Sequence, residues 1–126
     1  YAFVTSGGIK GYDDYRSDCG AICLAVLRRD GFVSLDSGQD EGLLRTELFR
    51  LEGDSLWVNA DASRGELRLR VLDADDEVLA ESEVIGEDKV AHDLVWREGE
   101  IAKHQQEIVR LEFRSRHTQL FSYWIT

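Results

Sequence analysis

The chain has 126 residues, enough for one domain whose core needs neither disulfides nor metals. Fifteen lysines and arginines against 25 aspartates and glutamates leave a formal charge of −10, which repels phosphate backbones and anionic headgroups and so disfavours nucleic-acid and membrane-surface partners. The longest apolar runs, such as residues 21–27, are too short to span a bilayer, and the N-terminus lacks the charged and apolar regions of a signal peptide.

The first residue is Tyr1 and methionine is absent, so the translation start is expected to lie outside this sequence. An apolar stretch, residues 1–5, leads into a polar loop over 6–18, in which Tyr12 and Tyr15 are flanked by Asp13, Asp14 and Arg16. Cys19 and Cys23 would lie roughly 13 Å apart in an extended strand, so a disulfide needs a turn through Gly20. Otherwise Cys23 is a small buried hydrophobe and Cys19 a loop thiol; two sulfurs alone make too few ligands for a metal.

Strands are expected at 21–27 and 31–36, joined by a tight turn at Arg29-Asp30-Gly31. Others follow at 43–48, 55–61, 66–73, 77–84, 90–96, 108–114 and 119–125, separated by turns rich in Gly, Asp and Ser because the chain has no proline. Within 66–73, Leu67, Leu69 and Val71 alternate with Arg68 and Arg70, which puts an apolar row toward a core and guanidinium groups toward water. Val109, Leu111 and Phe113 repeat the pattern. Only 98–106 reads as helical, and it is too short to form a layer. About nine strands and a stray helical turn give an all-β fold, an antiparallel two-sheet sandwich of jelly-roll type.

Chemistry-bearing motifs are sparse. Asp36-Ser37-Gly38 matches the catalytic loop of aspartic proteases, and Val84-Ile85-Gly86 resembles the apolar segment that follows it in retroviral-type enzymes. That chemistry needs two aspartates sharing a proton, so this chain would have to dimerise, and Gln39, Asp40 and Glu41 place polar and charged groups where a dry flap is expected. His92, His104 and His117 lie among charged residues and read as surface histidines; no Gly-x-Ser-x-Gly elbow occurs. Asp73, Asp75, Asp76 and Glu77 offer carboxylates suited to calcium, but the EF-hand spacing fails and a solvated hairpin tip accounts for them. Neither a metal nor a cofactor is expected.

Aromatic residues are the candidate binding groups, because a sugar presents an apolar face that stacks on an indole while its hydroxyls seek polar side chains. Trp57 is out of phase with Leu56 and Val58, with Asn59 and Asp61 on its own face, and could serve as such a platform. Covering the second face of the sheet or meeting another domain is the alternative for it. Tyr12 and Tyr15 form a second candidate, while Trp96 and Trp124 are expected to fill core or edge.

The stretch Leu27-Arg28-Arg29-Asp30-Gly31-Phe32-Val33-Ser34-Leu35-Asp36-Ser37-Gly38 resembles the opening of a C-terminal β-sandwich of glycoside-hydrolase-like proteins, in which a sialidase-like or related β-propeller precedes the sandwich. Further matches follow in order at Gly53-Asp54-Ser55-Leu56-Trp57-Val58-Asn59-Ala60-Asp61-Ala62, Gly65-Glu66-Leu67-Arg68-Leu69-Arg70-Val71-Leu72-Asp73-Ala74, Val109-Arg110-Leu111-Glu112-Phe113 and Leu120-Phe121-Ser122-Tyr123-Trp124. Trp57 departs from a position usually aliphatic, and the loop at 98–106 is more charged than the family's. The resemblance transfers no catalytic residue. It implies that residues 1–20 lead from a preceding domain and 21–126 form the sandwich. It further implies an accessory role, supporting the neighbouring domain of the parent chain and contacting glycan. An independent carbohydrate-binding module is the alternative, and a dimeric aspartic protease using Asp36 is the enzyme-class rival.

Overall fold

The computed structural model describes residues 2–7 and 20–126, with side chains described from residue 24 onward. The chain divides into two compact units, Tyr1–Phe32 and Val33–Thr126. In the first, β1 (Ala2–Gly7) and β2 (Gly20–Ala25) form an antiparallel hairpin with Ala2 opposite Ala25. Thus the strand expected at 21–27 pairs with β1. A turn follows, closed by a bond from the Gly31 amide to the Arg28 carbonyl at 2.9 Å, with Asp30 in the left-handed region at φ 55°. Tyr12, Tyr15 and Cys19 lie outside the described residues, as does the side chain of Cys23.

The second unit is all β. Its strands are β3 (Leu35–Asp36), β4 (Gly42–Arg45), β5 (Phe49–Arg50), β6 (Leu56–Asp61), β7 (Glu66–Asp73), β8 (Val78–Ser82), β9 (Asp88–Asp93), β10 (Trp96–Glu98), β11 (Ile108–Arg116) and β12 (Gln119–Ile125). They make two antiparallel sheets, one of six strands in the order β10-β8-β7-β11-β4 with β5 also on β11, the other of four in the order β3-β12-β6-β9. The chain passes repeatedly from one sheet to the other, and the two sheets pack as a β-sandwich.

Alternation fixes which face each strand buries. Leu67, Leu69 and Val71 from β7 and Val109, Leu111 and Phe113 from β11 meet Leu56, Val58 and Ala60 from β6 and Leu120 from β12 in one core cluster. Each fully buried Leu or Phe contributes about 1.5–3 kcal/mol by leaving water. Ring contact also joins the sheets, Phe113 lying 5.3 Å from Tyr123. The β7–β11 pair runs unbroken from Val109 opposite Asp73 to Arg116 opposite Glu66, which makes these two the longest continuous ladder of the sandwich.

The strands outnumber the nine or so expected, β1 reaches Gly7 into the loop expected at 6–18, and four further local readings differ from the structure. Of the strand expected at 31–36 only Leu35–Asp36 pairs, because the turn at Arg28–Gly31 consumes its start. The segment 43–48 divides at Thr46, whose amide donates to the Leu111 carbonyl at 3.0 Å and whose Oγ1 accepts from the Leu111 amide at 3.0 Å. The strand expected at 90–96 divides between the sheets. β9 ends on the four-stranded sheet, and after Leu94 the Val95 carbonyl accepts from the Glu83 amide at 2.7 Å as the chain crosses to the other. The helical segment shrinks to one 3₁₀ turn, Ile101–His104, pinned by buried Ile101.

Candidate functional site

The outer face of the four-stranded sheet carries Trp57 and Asp61, two of the groups singled out in the sequence. With Leu56, Val58 and Ala60 committed to the core, Trp57, Asn59 and Asp61 take the opposite face of β6. β12 lies beside β6 with Trp124 directly opposite Trp57. Their indoles are parallel within 4° with ring centroids 6.3 Å apart, an offset stack of the kind aromatic pairs favour. The Trp57 Nε1–H donates to Thr126 Oγ1 at 3.3 Å, and Asp93 of β9 faces Trp57 from the other side. Both indoles are half-buried. Trp124, expected in core or edge, is instead half of this pair; its phase relative to Ile125, which packs on the core, is the sequence signal for its orientation.

Asn59 does not join the platform. Its side chain is fully buried, so it supports the sheet and cannot reach a surface ligand. His92 is a second correction. It is 4% exposed because its position opposite Val58 turns it toward the interior, where its Nε2 lies 3.3 Å from the Ala60 carbonyl oxygen. Charged sequence neighbours are a poor guide at a strand position whose flanking residues both point outward.

About 13 Å along β6 from Trp57, the same face opens into a polar cleft of about 430 Å³. Asp36, Gln119 and Asp61 stand side by side there on β3, β12 and β6, and Ser63, Arg64 and His117 rim the cleft. Asp36 Oδ1 accepts from Ser34 Oγ at 2.5 Å and Oδ2 from Gln119 Nε2 at 3.2 Å. These bonds, Ser34 first, hold its carboxyl below the ordinary value of 3.8 against a small opposing effect of burial. Asp61 Oδ1 accepts from the Ser63 amide at 3.0 Å and from Ser63 Oγ at 2.6 Å, which fixes the β6–β7 turn.

The loop after Asp36 is latched to the β11–β12 turn. The Ser37 amide donates to the Thr118 carbonyl at 2.9 Å, and the His117 amide donates to the Gly38 carbonyl at 3.0 Å. His117 holds φ at 44° to make that turn. Within one chain Gln119 separates Asp36 from Asp61, placing their strands about 10 Å apart.

Two carboxylates of the acidic turn at 73–77 are engaged by the chain itself. Asp73 Oδ1 accepts from the amides of Asp75 at 2.8 Å and Glu77 at 2.9 Å, and Asp76 lies 3.5 Å from Arg45 and 3.4 Å from Arg110. Among the described residues no group of three or more His, Cys, Asp or Glu side chains is arranged to hold a metal ion.

The face thus offers two kinds of surface, a pair of indoles and a cleft of carboxylate, amide and hydroxyl groups. Gln119, Ser63, Arg64 and His117 carried no signal in the sequence, since only strand register assembles them around Asp36 and Asp61. No family model, no curated protein and no solved structure matches the chain.

Proposed function

We propose that this chain is a non-catalytic accessory β-sandwich of a larger glycoside-hydrolase-like protein, whose four-stranded sheet contacts glycan through Trp57 and Trp124. The observation that carries the reading is the parallel indole pair on the same face as the Asp36–Gln119–Asp61 row. Stacking on one indole is worth about 1 kcal/mol beyond area burial, and millimolar affinity corresponds to about −4 kcal/mol, so an open face of this kind binds at best in the millimolar range. Support for a neighbouring domain comes from exposed aliphatic side chains in the sandwich unit, Val33, Leu35 and Leu43.

The test is a titration of the chain with neutral oligosaccharides, read by indole fluorescence and by NMR of the Trp Nε1–H resonances. Saturable perturbation at millimolar ligand is expected, abolished by Trp57→Ala or Trp124→Ala and unchanged by chelator. Trp57→Phe keeps a ring in place should the alanine variant unfold. Indole signals indifferent to every oligosaccharide would overturn the glycan reading and leave a packing role for the pair. Micromolar binding by this chain alone would favour an independent carbohydrate-binding module.

A further inference from the structure

The opposite side of the sandwich, the outer face of the six-stranded sheet, is organised by charge. One row crosses four strands in register with alternating sign: Glu81 of β8, Arg70 of β7, Glu112 of β11 and Arg45 of β4. Both glutamates are buried, Glu112 to 1% exposure. Glu112 accepts from Arg45 Nε at 2.6 Å and Arg114 Nε at 2.7 Å and lies 3.9 Å from Arg70. Glu81 accepts from Arg70, with Arg68 at 3.8 Å and Arg97 at 4.0 Å. Two carboxylates therefore anchor five guanidinium groups.

The next row breaks the alternation. Arg68 stands directly opposite Arg114, and beyond them Arg116 stands opposite Glu66. Like charges directly opposite in a sheet repel. Here Arg114 is tethered to Glu112 and, at 3.5 Å, to Glu41, while among the described residues Arg68 has only the long contact to Glu81. Arg116 is exposed and forms no ion pair among the described residues. Between these side chains lies a small concavity of about 90 Å³, also lined by Arg70 and Ser115. On a chain of net charge −10, four guanidinium groups converge there against two lining carboxylates, Glu41 and Glu66.

We infer that the concavity between Arg68, Arg70, Arg114 and Arg116 is a binding site for a single oxyanion group, a carboxylate or sulfate carried by a ligand. Guanidinium forks match such planar or tetrahedral oxyanions with paired N–H donors, and arginine is less strongly hydrated than lysine, so the exchange of water for anion is favourable. Burial of Glu81 and Glu112 fixes Arg70 and Arg114 before any ligand arrives, which removes ordering cost from binding. The small volume admits one oxyanion group and excludes a whole sugar ring. This site shares no residue with the indole face, so either can fail without the other.

The test is an NMR titration of the full chain with sodium sulfate and with sodium acetate at constant ionic strength, following the arginine Nε–H resonances and the Ser115 amide. Saturable shifts confined to Arg68, Arg70, Arg114, Arg116 and Ser115 are expected. The double variant Arg68→Gln/Arg116→Gln should weaken sulfate at least about tenfold, while Lys103→Gln, which removes a distant exposed cation, leaves it unchanged. A sulfated disaccharide compared with its desulfated counterpart distinguishes a ligand-borne group from free anion: preference for the sulfated sugar over inorganic sulfate points to the former. Shifts spread over all cations without saturation, or equal affinity in the double variant, would overturn the site.

Discussion

Glu112 stands 1% exposed on the outer face of the six-stranded sheet, where loss of water alone would push its carboxyl upward. That desolvation is its largest influence, yet the bonds from Arg114 and Arg45 together with their charges outweigh it, and the group titrates below its ordinary value of 4.5. Because the folded pKa is the lower one, the stabilisation is complete above the unfolded value and is lost as pH falls through the folded value. Urea midpoints followed from neutral pH to about pH 3 should therefore fall, with the loss attributable to Glu112 lying below pH 4.5. Glu112→Gln removes the charge and leaves Arg45 and Arg114 without their buried anion, at a cost of about 3 kcal/mol at neutral pH. The gap between variant and parent should close in acid. Equal midpoints at neutral pH would show that the ladder is only a solvated face. In the sequence Glu112 was one more acid among 25, and nothing in its neighbours distinguishes it. Its partner Arg45 is 67 residues away.

Turns decide how well the strands meet at the cleft. The β6–β7 turn, Ser63-Arg64-Gly65, is pressed against the β11–β12 turn so closely that a methyl group on Gly65 would overlap the Arg116 carbonyl oxygen and come within 2.9 Å of His117 Cβ. Backbone cannot yield as the tip of a long side chain can. Gly65→Ala should cost about 3 kcal/mol, the upper end of overpacking effects, and shift the Asp61 and His117 resonances together. Gly38 meets nothing within 4 Å of an added Cβ, so Gly38→Ala should change stability by less than about 1 kcal/mol. A Gly65→Ala variant as stable as the Gly38→Ala one would show that the two turns are not in contact in solution. Of these elements, Glu66–Asp73 was legible to the residue in the alternation of its side chains, because it runs as one unbroken ladder on β11, and Gln119–Ile125 was legible in its bounds although its pairing with β6 shifts register after Leu120. The segment 90–96 was not, since its apolar pattern continues through the point where the chain changes sheets.

At the scale of the molecule, residues 33–126 form a compact unit with their own core. A fragment spanning 33–126 should therefore unfold cooperatively and keep the far-ultraviolet circular dichroism of a sheet protein. The pairings Asp36 with Gln119 and Trp57 with Trp124 bring β12 into contact with strands from early in the chain, so removal of β12 should unfold the unit. A fragment lacking Gln119–Ile125 that retained cooperative unfolding would contradict the central place of β12 in the four-stranded sheet.

The sequence by itself determined the class of the fold and the face of most side chains. A period of two is a local property, and it placed Leu67, Leu69 and Val71 inside, Arg68 and Arg70 outside, and Trp57 off the core row of β6. Which strands become neighbours was decided by the tertiary structure alone. Alternation says which way a residue faces and nothing about what stands beside it, so the partnership of Trp57 with Trp124 and the convergence of five arginines on Glu81 and Glu112 had no local signature. Burial of Asn59 and His92 belongs to the same category. What covers a polar side chain depends on which strands pair and in what register, as His92 opposite Val58 shows, and that is summed over many weak contacts across the sheet rather than fixed by the few residues on either side.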